Sequence, residues 1–482
     1  MGTFYLQNFG CRATQADGAA LERQMLERGL ARAAAPQDAG VVVLNTCTVT
    51  ESADRDVRAA IRRIHRENPQ CRILVTGCYA QRAPQELAAL PGVRWVVGNS
   101  HKHQVAEVLA PSAGSFVPVG ALSASSDHPI TGTLDSQILV GDIFAFAHTE
   151  LLAAPVFAAE TASEKTRPNL KVQDGCDNRC SFCIIPAVRG QSRSLARAEA
   201  LREVRALVAA GYREVVLSGI NLGRWGRDFP KPERFEDLVR AVLEETGLER
   251  LRLSSVEPMD WTEELIDLVA NEPRIAKHAH LPLQSGLDHI LRAMHRKYRP
   301  WHYRERVEKI RRAMPLAAIG ADVMVGFPGE TDALFEESRA FIASLPFTYL
   351  HVFTYSSRPG TPSAAMSGQV PVQVARERNR ILRELAAEKN RAFRESLVGR
   401  RLDAITLDRG DGESTEALTD NYLKMRLLGS HKANRWALVR VTGVSADGLT
   451  ACIDRPAEKA YRRERGGNAE AAERRAGAVP VL

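Results

Sequence analysis

The stretch "VQDGCDNRCSFCIIP", residues 172–186, packs three of the chain's eight cysteines into one short loop: Cys176, Cys180 and Cys183. No other feature narrows the possibilities as far. Structural zinc sites usually recruit ligands as two separated pairs and close all four positions. Here one C-x3-C-x2-C loop supplies three sulfurs, and no histidine or fourth cysteine lies nearby in sequence. Three thiolates so arranged suit three corners of an iron–sulfur cube whose fourth iron stays open. A zinc site completed from elsewhere in the chain is the competing reading.

The loop heads a long alternation of strand and helix. From 169 to 356 the strand candidates are "NLKVQDG", "EVVLSGI", "RLRLSSV", "HAHLPLQS", "ADVMVGF" and "YLHVFTYS". Helical patterns at 195–210, 235–246, 262–270, 287–294, 302–314 and 332–345 separate or follow them. Six β/α units predict a barrel or partial barrel with its chemistry at the C-terminal ends of the strands. Several of those ends carry small or polar residues: Ser218, Gly219 and Asn221; Gln284 and Ser285; Gly326 and Gly329. Glycine there lets backbone approach a ligand closely, though a tight turn explains each one equally well.

The first hundred residues alternate in the same way. Strand candidates at 3–11, 41–47, 72–78 and 93–99 enclose amphipathic helices at 13–30 and 52–68, which predicts a doubly wound parallel sheet. Cys11, Cys47 and Cys78 each close one of these strands. In a parallel sheet such ends lie on one edge, where ligands gather, and adjacent strands are only ~4.8 Å apart. Any one of the three could be a small buried hydrophobe. Three at equivalent ends argue for a second metal-binding set. Cys71 and Cys452 fit no such pattern.

Between these blocks, residues 111–137 are rich in Ser, Gly and Pro and read as a linker. Residues 373–399 form a long charged helix pattern, and 400–455 switch to short β-rich runs expected of a small β-barrel. The tail from Lys459 is charged and Gly/Ala-rich. A chain of 482 residues, 44% hydrophobic and 26% charged, has the balance of a multidomain globular protein. No apolar run approaches the ~20 residues of a membrane span, and the start lacks a signal-peptide pattern, so a cytoplasmic chain with reduced cysteines is expected. A net charge of +7 permits a polyanion partner without requiring one.

The three-cysteine loop, placed after the first barrel strand, resembles the signature of the radical S-adenosylmethionine (radical SAM) superfamily. In that superfamily the open iron of a 4Fe–4S cluster binds S-adenosylmethionine, and reduction cleaves it to a 5′-deoxyadenosyl radical. With "NFGC", "NTCTVT", "GCDNRCSFCIIP", "LPLQSG" and "GFPGET" together, most of the chain resembles the methylthiotransferase family. The resemblance implies two 4Fe–4S clusters, one on Cys176, Cys180 and Cys183 and one on Cys11, Cys47 and Cys78. It makes all six cysteines catalytic as well as metal-binding. It implies that Ser218, Gly219, Asn221, Gln284, Ser285, Gly326 and Gly329 cradle S-adenosylmethionine. The fold it implies is α/β: an N-terminal methylthiotransferase domain (1–110), a linker or insertion (111–165), a radical SAM (β/α)6 partial barrel (166–395), an OB-like TRAM barrel (396–458) and a flexible tail (459–482).

Family members of this kind insert sulfur and a methyl group at an unactivated C–H. Their substrates are threonylcarbamoyladenosine or isopentenyladenosine in tRNA, or an aspartate of a ribosomal protein. "NTCTVT" and "GCYAQR" look most like the first subgroup, while Thr14 and Ala187 depart from its usual Asn and Tyr. The implied partners are the tRNA anticodon loop, an electron donor such as a flavodoxin or ferredoxin, and an unidentified sulfur donor, with no membrane. An RNA-binding iron–sulfur protein without turnover is the reading from a different class. The terminal barrel's "NYLKMRLLGSHKANRW" (421–436) suits a phosphate-and-stacking surface. Arg189 is a candidate partner for a substrate carboxylate, and an ordinary surface arginine is the alternative.

Overall fold

A computed structural model describes residues 2–110, 136–145, 166–446 and 448–456. The linker expected at 111–137 lies almost wholly outside these residues, as does the tail from Lys459. Among the described residues no helix is long and apolar enough to cross a membrane.

The N-terminal part is a six-stranded parallel sheet: β1 (Thr3–Asn8), β2 (Ala31–Arg32), β3 (Val41–Thr46), β4 (Arg72–Gly77), β5 (Val93–Gly98) and β6 (Gln137–Leu139). Its order is β2-β1-β3-β4-β5-β6. β3 is buried along its whole length, as a central strand covered on both faces must be. The helices Arg12–Glu27 and Glu51–Glu67 cover opposite faces: Leu21 and Met25 join one apolar cluster, Val57, Ile61 and Ile64 the other. The strand order reverses between β1 and β3, so the switch point where doubly wound sheets bind ligands falls between these two strands. β6 lies in the segment read from sequence as linker or insertion; its three residues pair as an edge strand with β5.

The central part begins with β7 (Asn169–Asp174), β8 (Arg193–Ser194), β9 (Glu214–Gly219) and β10 (Arg250–Leu253). It continues with β11 (His278–His280), β12 (Ala318–Val325) and β13 (Tyr349–Thr354). β7, β9 and β10 pair in parallel, as do β11, β12 and β13, and a parallel bridge from Leu251 to Ile275 joins the two groups. The result is an open barrel of six parallel strands with helices outside. β11 is short because Pro282 cannot donate to the ladder and Gln284 takes a positive φ of 65°.

The N-terminal sheet spans the open side of this barrel. Its helix Arg12–Glu27 packs on β7, and beyond β13 Arg358 donates to Thr48 Oγ1 at 2.9 Å and pairs with Asp54.

The helix Val372–Glu395 leads to a closed five-stranded barrel of β14 (Arg401–Gly410), β15 (Ser414–Thr419), β16 (Lys424–Leu428), β17 (Trp436–Ser445) and β18 (Gly448–Pro456). The run "EALTDNYLKMRLL" splits into β15 and β16 at a turn, where Tyr422 takes φ 65° and Leu423 N donates to Thr419 Oγ1. This barrel docks on the N-terminal ends of the core strands. Arg252 donates to Thr419 O at 3.1 Å and Asp420 O at 2.9 Å, and Arg250 lies 4.1 Å over the Trp436 ring.

Candidate active site

The cysteine loop leaves β7 at Asp174, and Gly175, at φ 68°, packs so tightly on the Gln191 carbonyl that no side chain fits there. The loop is pinned by backbone bonds from Cys176 N to Gly190 O (3.1 Å) and Cys183 N to Cys180 O (3.1 Å). Donors point at its sulfurs: Arg296 Nη1 lies 3.3 Å from Cys180 Sγ and Asn221 Nδ2 lies 3.7 Å from Cys176 Sγ. Arg296 is itself buried, paired with Glu257 and 3.1 Å from the Tyr298 hydroxyl. Burial pushes the Cys183 thiol up to about 12, with the neighbouring Cys180 and Cys176 adding to the shift. A cation is what would bring such thiols to the thiolate state that these donors favour.

The surrounding strand ends fit a bound cofactor to different degrees. Ser218 Oγ and Asn221 Oδ1 are buried and make no hydrogen bond among the described residues, which is costly unless a ligand supplies partners. Asn221 is held in place by its N–H to Gln173 Oε1 at 2.6 Å. Gly219 abuts the Gln173 side chain. Gln284 has its strained φ and Ser285 is buried, its hydroxyl accepting from Leu287 N at 3.3 Å. Gly326 (φ 76°) lies where a Cβ would stand 2.6 Å from Ala375 Cβ, and its N–H goes to Glu330 Oε1, so helix packing already explains that glycine. Gly329 (φ 84°) has open space beside it and donates to Gly368 O.

The second cysteine set assembles across the switch point of the first sheet. Cys11 follows β1 at the N-cap of Arg12–Glu27, Cys47 follows β3, and Cys78 follows β4 as the first residue of a short helix. These three strands are neighbours in the sheet. Gly10 (φ 110°) lets the chain turn there, since a Cβ would stand 2.5 Å from Cys47 Cβ. Burial pushes the Cys47 thiol up to about 12, and the nearby Cys78 and Cys11 contribute to the rise. Asn99 Nδ2 points at Cys78 Sγ at 3.5 Å and at Val188 O at 2.7 Å. Cys71 is buried at the far end of β4, at its N-terminal side, and Cys452 lies in β18, so neither joins a set.

The segment that follows the first set packs on the second. Cys78 lies in one small apolar cluster with Ile184, the residue after Cys183, and with Val188 of the short helix Ile185–Arg189. A buried ion network stitches the same junction: Asp17 accepts from Lys102 at 2.8 Å, from Arg189 at 3.0 Å and from Lys171, and Asp174 accepts from Arg189 and Lys171 at 2.8 Å each. Arg189 is therefore not the partner of a substrate carboxylate; it is 2% exposed and held between two aspartates. The pair of aromatics expected to stack RNA bases is also turned inward. Trp436 is buried with Nε1 on Glu249, and the Tyr422 ring lies 4.6 Å from that of His278. Lys424, Arg426 and Lys432 of the same stretch remain exposed.

Sequence reasoning missed Arg296, Glu257, Asn99 and the Asp17 network. None carries a local signal, because each meets its partner only through the fold.

Two family models match the chain: Uncharacterized protein family UPF0004 over residues 3–98 and the Radical SAM superfamily over residues 170–342. The Threonylcarbamoyladenosine tRNA methylthiotransferase MtaB of Aquifex aeolicus is 35% identical over 435 residues, covering 90% of this chain and 98% of that protein. The tRNA-2-methylthio-N(6)-dimethylallyladenosine synthase of Thermobifida fusca is 34% identical over 437 residues, covering 90% of this chain and 82% of that protein. Among solved structures, the radical S-adenosylmethionine methyltransferase TsrM from Kitasatospora setae superposes with a TM-score of 0.55 at 16% identity, covering 76% of this chain and 75% of that one. That last likeness is one of fold.

Proposed function

The chain belongs to the methylthiotransferase family of radical S-adenosylmethionine enzymes, and on that premise we propose that it converts N6-threonylcarbamoyladenosine beside the anticodon of tRNA into its 2-methylthio derivative, in the cytoplasm. The observation that carries this reading is the convergence of two cysteine sets on one domain junction, with Cys78 packed against Ile184 and Val188. A reaction that makes a radical at one centre and delivers sulfur from another needs them within reach of one substrate atom.

In this reading Cys176, Cys180 and Cys183 hold the cluster that binds S-adenosylmethionine, and Cys11, Cys47 and Cys78 hold a second 4Fe–4S cluster. When bound, these groups supply the radical and the sulfur–methyl unit, chemistry that no side chain here provides. The protein's part is positional and electrostatic. Arg296, fixed by Glu257 and Tyr298, donates to the Cys180 sulfur. Asn221 donates to Cys176 and keeps an unpaired carbonyl for the cofactor. Ile184 and Val188 set an apolar patch against Cys78, which limits water beside that sulfur. The exposed Lys424, Arg426 and Lys432 suit phosphate contacts, and a reduced flavodoxin- or ferredoxin-like donor supplies electrons.

The test feeds anaerobically reconstituted enzyme with tRNA bearing either modified adenosine and reads the nucleosides by mass spectrometry. The expected product is the 2-methylthio form of the threonylcarbamoyl nucleoside. Exclusive methylthiolation of the isopentenyl tRNA would overturn the substrate assignment.

A further inference from the structure

On the last three barrel strands, the face turned away from the helices carries a group of ionisable residues that the cofactor site does not use. Ala279, Ile319, Ala321 and Val323 point into the apolar core beneath the helices. The alternate positions put His278 and His280 of β11, Asp322 of β12, and Tyr349 and His351 of β13 on the opposite, inner face. Asp322 and His351 are direct neighbours in register.

The geometry within this group is specific. His351 Nδ1 lies 3.3 Å and His280 Nε2 lies 3.4 Å from the same oxygen, Asp322 Oδ1. The His280 ring is 5% exposed, with Nδ1 on Ser255 Oγ, and its Nε2 has only the long 3.4 Å contact to Asp322, short of good hydrogen-bond geometry. A buried ring nitrogen so loosely paired at a lumen-facing carboxylate leaves room for a ligand to complete its bonding. His351 is 55% exposed in its side chain, and with Nδ1 on Asp322 its Nε2 is the nitrogen left for a ligand. Among the described residues no hydrogen bond reaches Asp322 Oδ2. Tyr349, His278 and Tyr422 stack below and close the floor.

We propose that His351, His280 and Asp322 form the subsite for the N6 substituent of the substrate adenine, and that they select a hydroxy-acid group over an alkyl one. His351, in its imidazolium form with Nδ1–H on Asp322, donates Nε2–H to the substituent's carboxylate, His280 Nε2 pairs with its amide or hydroxyl, and Asp322 Oδ2 accepts from the hydroxyl. An alkyl substituent would offer nothing to His351 Nε2 or Asp322 Oδ2, and a site built for hydrogen bonds rejects a ligand lacking them far more strongly than an apolar pocket rejects one with an extra methylene. The proposal rests on the threonylcarbamoyladenosine reading and deepens it.

The experiment compares binding of three anticodon stem-loops, identical except for an unmodified, isopentenyl or threonylcarbamoyl adenosine, to the full-length reconstituted protein. The wild type should prefer the threonylcarbamoyl loop over the unmodified one by about tenfold or more, the worth of one charge-assisted hydrogen bond. His351→Phe should bring that ratio to within about threefold, and His351→Gln, which retains an N–H donor, should keep most of it. An unchanged ratio in His351→Phe overturns the proposal, whether or not both affinities fall together. So does a metal ion beyond the cluster iron that disappears with His351, because the group would then be a cation site. A wild type that prefers the isopentenyl loop would instead overturn the substrate reading itself, a separate result.

Discussion

Arg296 shows what a single residue contributes and how it escapes a sequence reading. The three cysteines of the loop announce themselves by spacing. Arg296 meets Cys180 from 116 residues away, in a basic stretch that looks like any solvated surface. Only the fold reveals that it is 7% exposed and locked by Glu257 and Tyr298. Its positive charge and its N–H on sulfur both favour the more negative, reduced state of whatever cluster these thiolates hold. Arg296→Met should therefore make that cluster's potential more negative by about 50 mV, one hydrogen bond's worth for a one-electron couple. The measurement is an EPR-monitored titration in the Cys11/Cys47/Cys78→Ala background, where only this cluster is present. An unchanged potential would show that the arginine merely packs. Arg189 teaches the converse lesson: a basic residue beside a motif suggested a substrate contact, but burial between Asp17 and Asp174 commits it to the protein.

At the scale of elements, the longer strands were legible because their apolar runs are continuous and bounded, and the cysteines at their ends were legible with them. The order of the sheet was not, since nothing local in "NFGC" or "NTCTVT" says that β1 and β3 are neighbours across a switch point. β2, β6 and β8 are two or three residues long and carry no period to read. The turn at Tyr422 was hidden inside what reads as one β-rich run, although "DNY" holds the Asp-Asn pair that such turns use. The strand-to-helix turn at Gly10 yields a prediction of its own. Its φ of 110° and the 2.5 Å from a built Cβ to Cys47 mean that even alanine must displace the cysteine. Gly10→Ala should lower the reconstituted iron content from about eight toward about four per chain, if both sets hold cubanes. Cleavage of S-adenosylmethionine should continue, because the loop at 176–183 is untouched. Full iron in this variant would show that the second cysteine set tolerates movement or holds no cluster.

The whole molecule depends on docking that no segment encodes alone. The N-terminal sheet closes the barrel's open side through Asp17, and the terminal barrel caps the strand starts through Arg250, Arg252 and Trp436, so each domain's surface is partly another's core. Sequence reading assigned the domains from their internal periods, and periods say nothing about interfaces built from single side chains. It set the terminal barrel apart as a separate domain, and nothing in its period foretells that Arg12, the residue after Cys11, donates to the Tyr422 hydroxyl at 2.8 Å. Asp17 is the sharpest test of this integration. Burial opposes its ionisation, but Lys102, Lys171 and Arg189 together outweigh burial and hold its carboxyl well below the usual range. Lys102 is the strongest of the three in lowering Asp17, although burial pulls its own ionisation the other way, whereas Lys171 and Arg189 are shifted toward their charged forms. A carboxyl depressed in the folded state stabilises above its unfolded value, near pH 4, and that contribution fades as pH falls toward the folded value. Asp17→Asn leaves buried cations short of a counter-charge and should cost about 3–5 kcal/mol at pH 7. Unfolding of the iron-free chain in denaturant, run from pH 7 downward, should show a constant gap between wild type and variant until about pH 4 and a narrowing gap below it. A gap that persists unchanged into stronger acid would mean that shape rather than charge makes Asp17 matter, and that the junction holding the two cysteine sets together is packed rather than ionic.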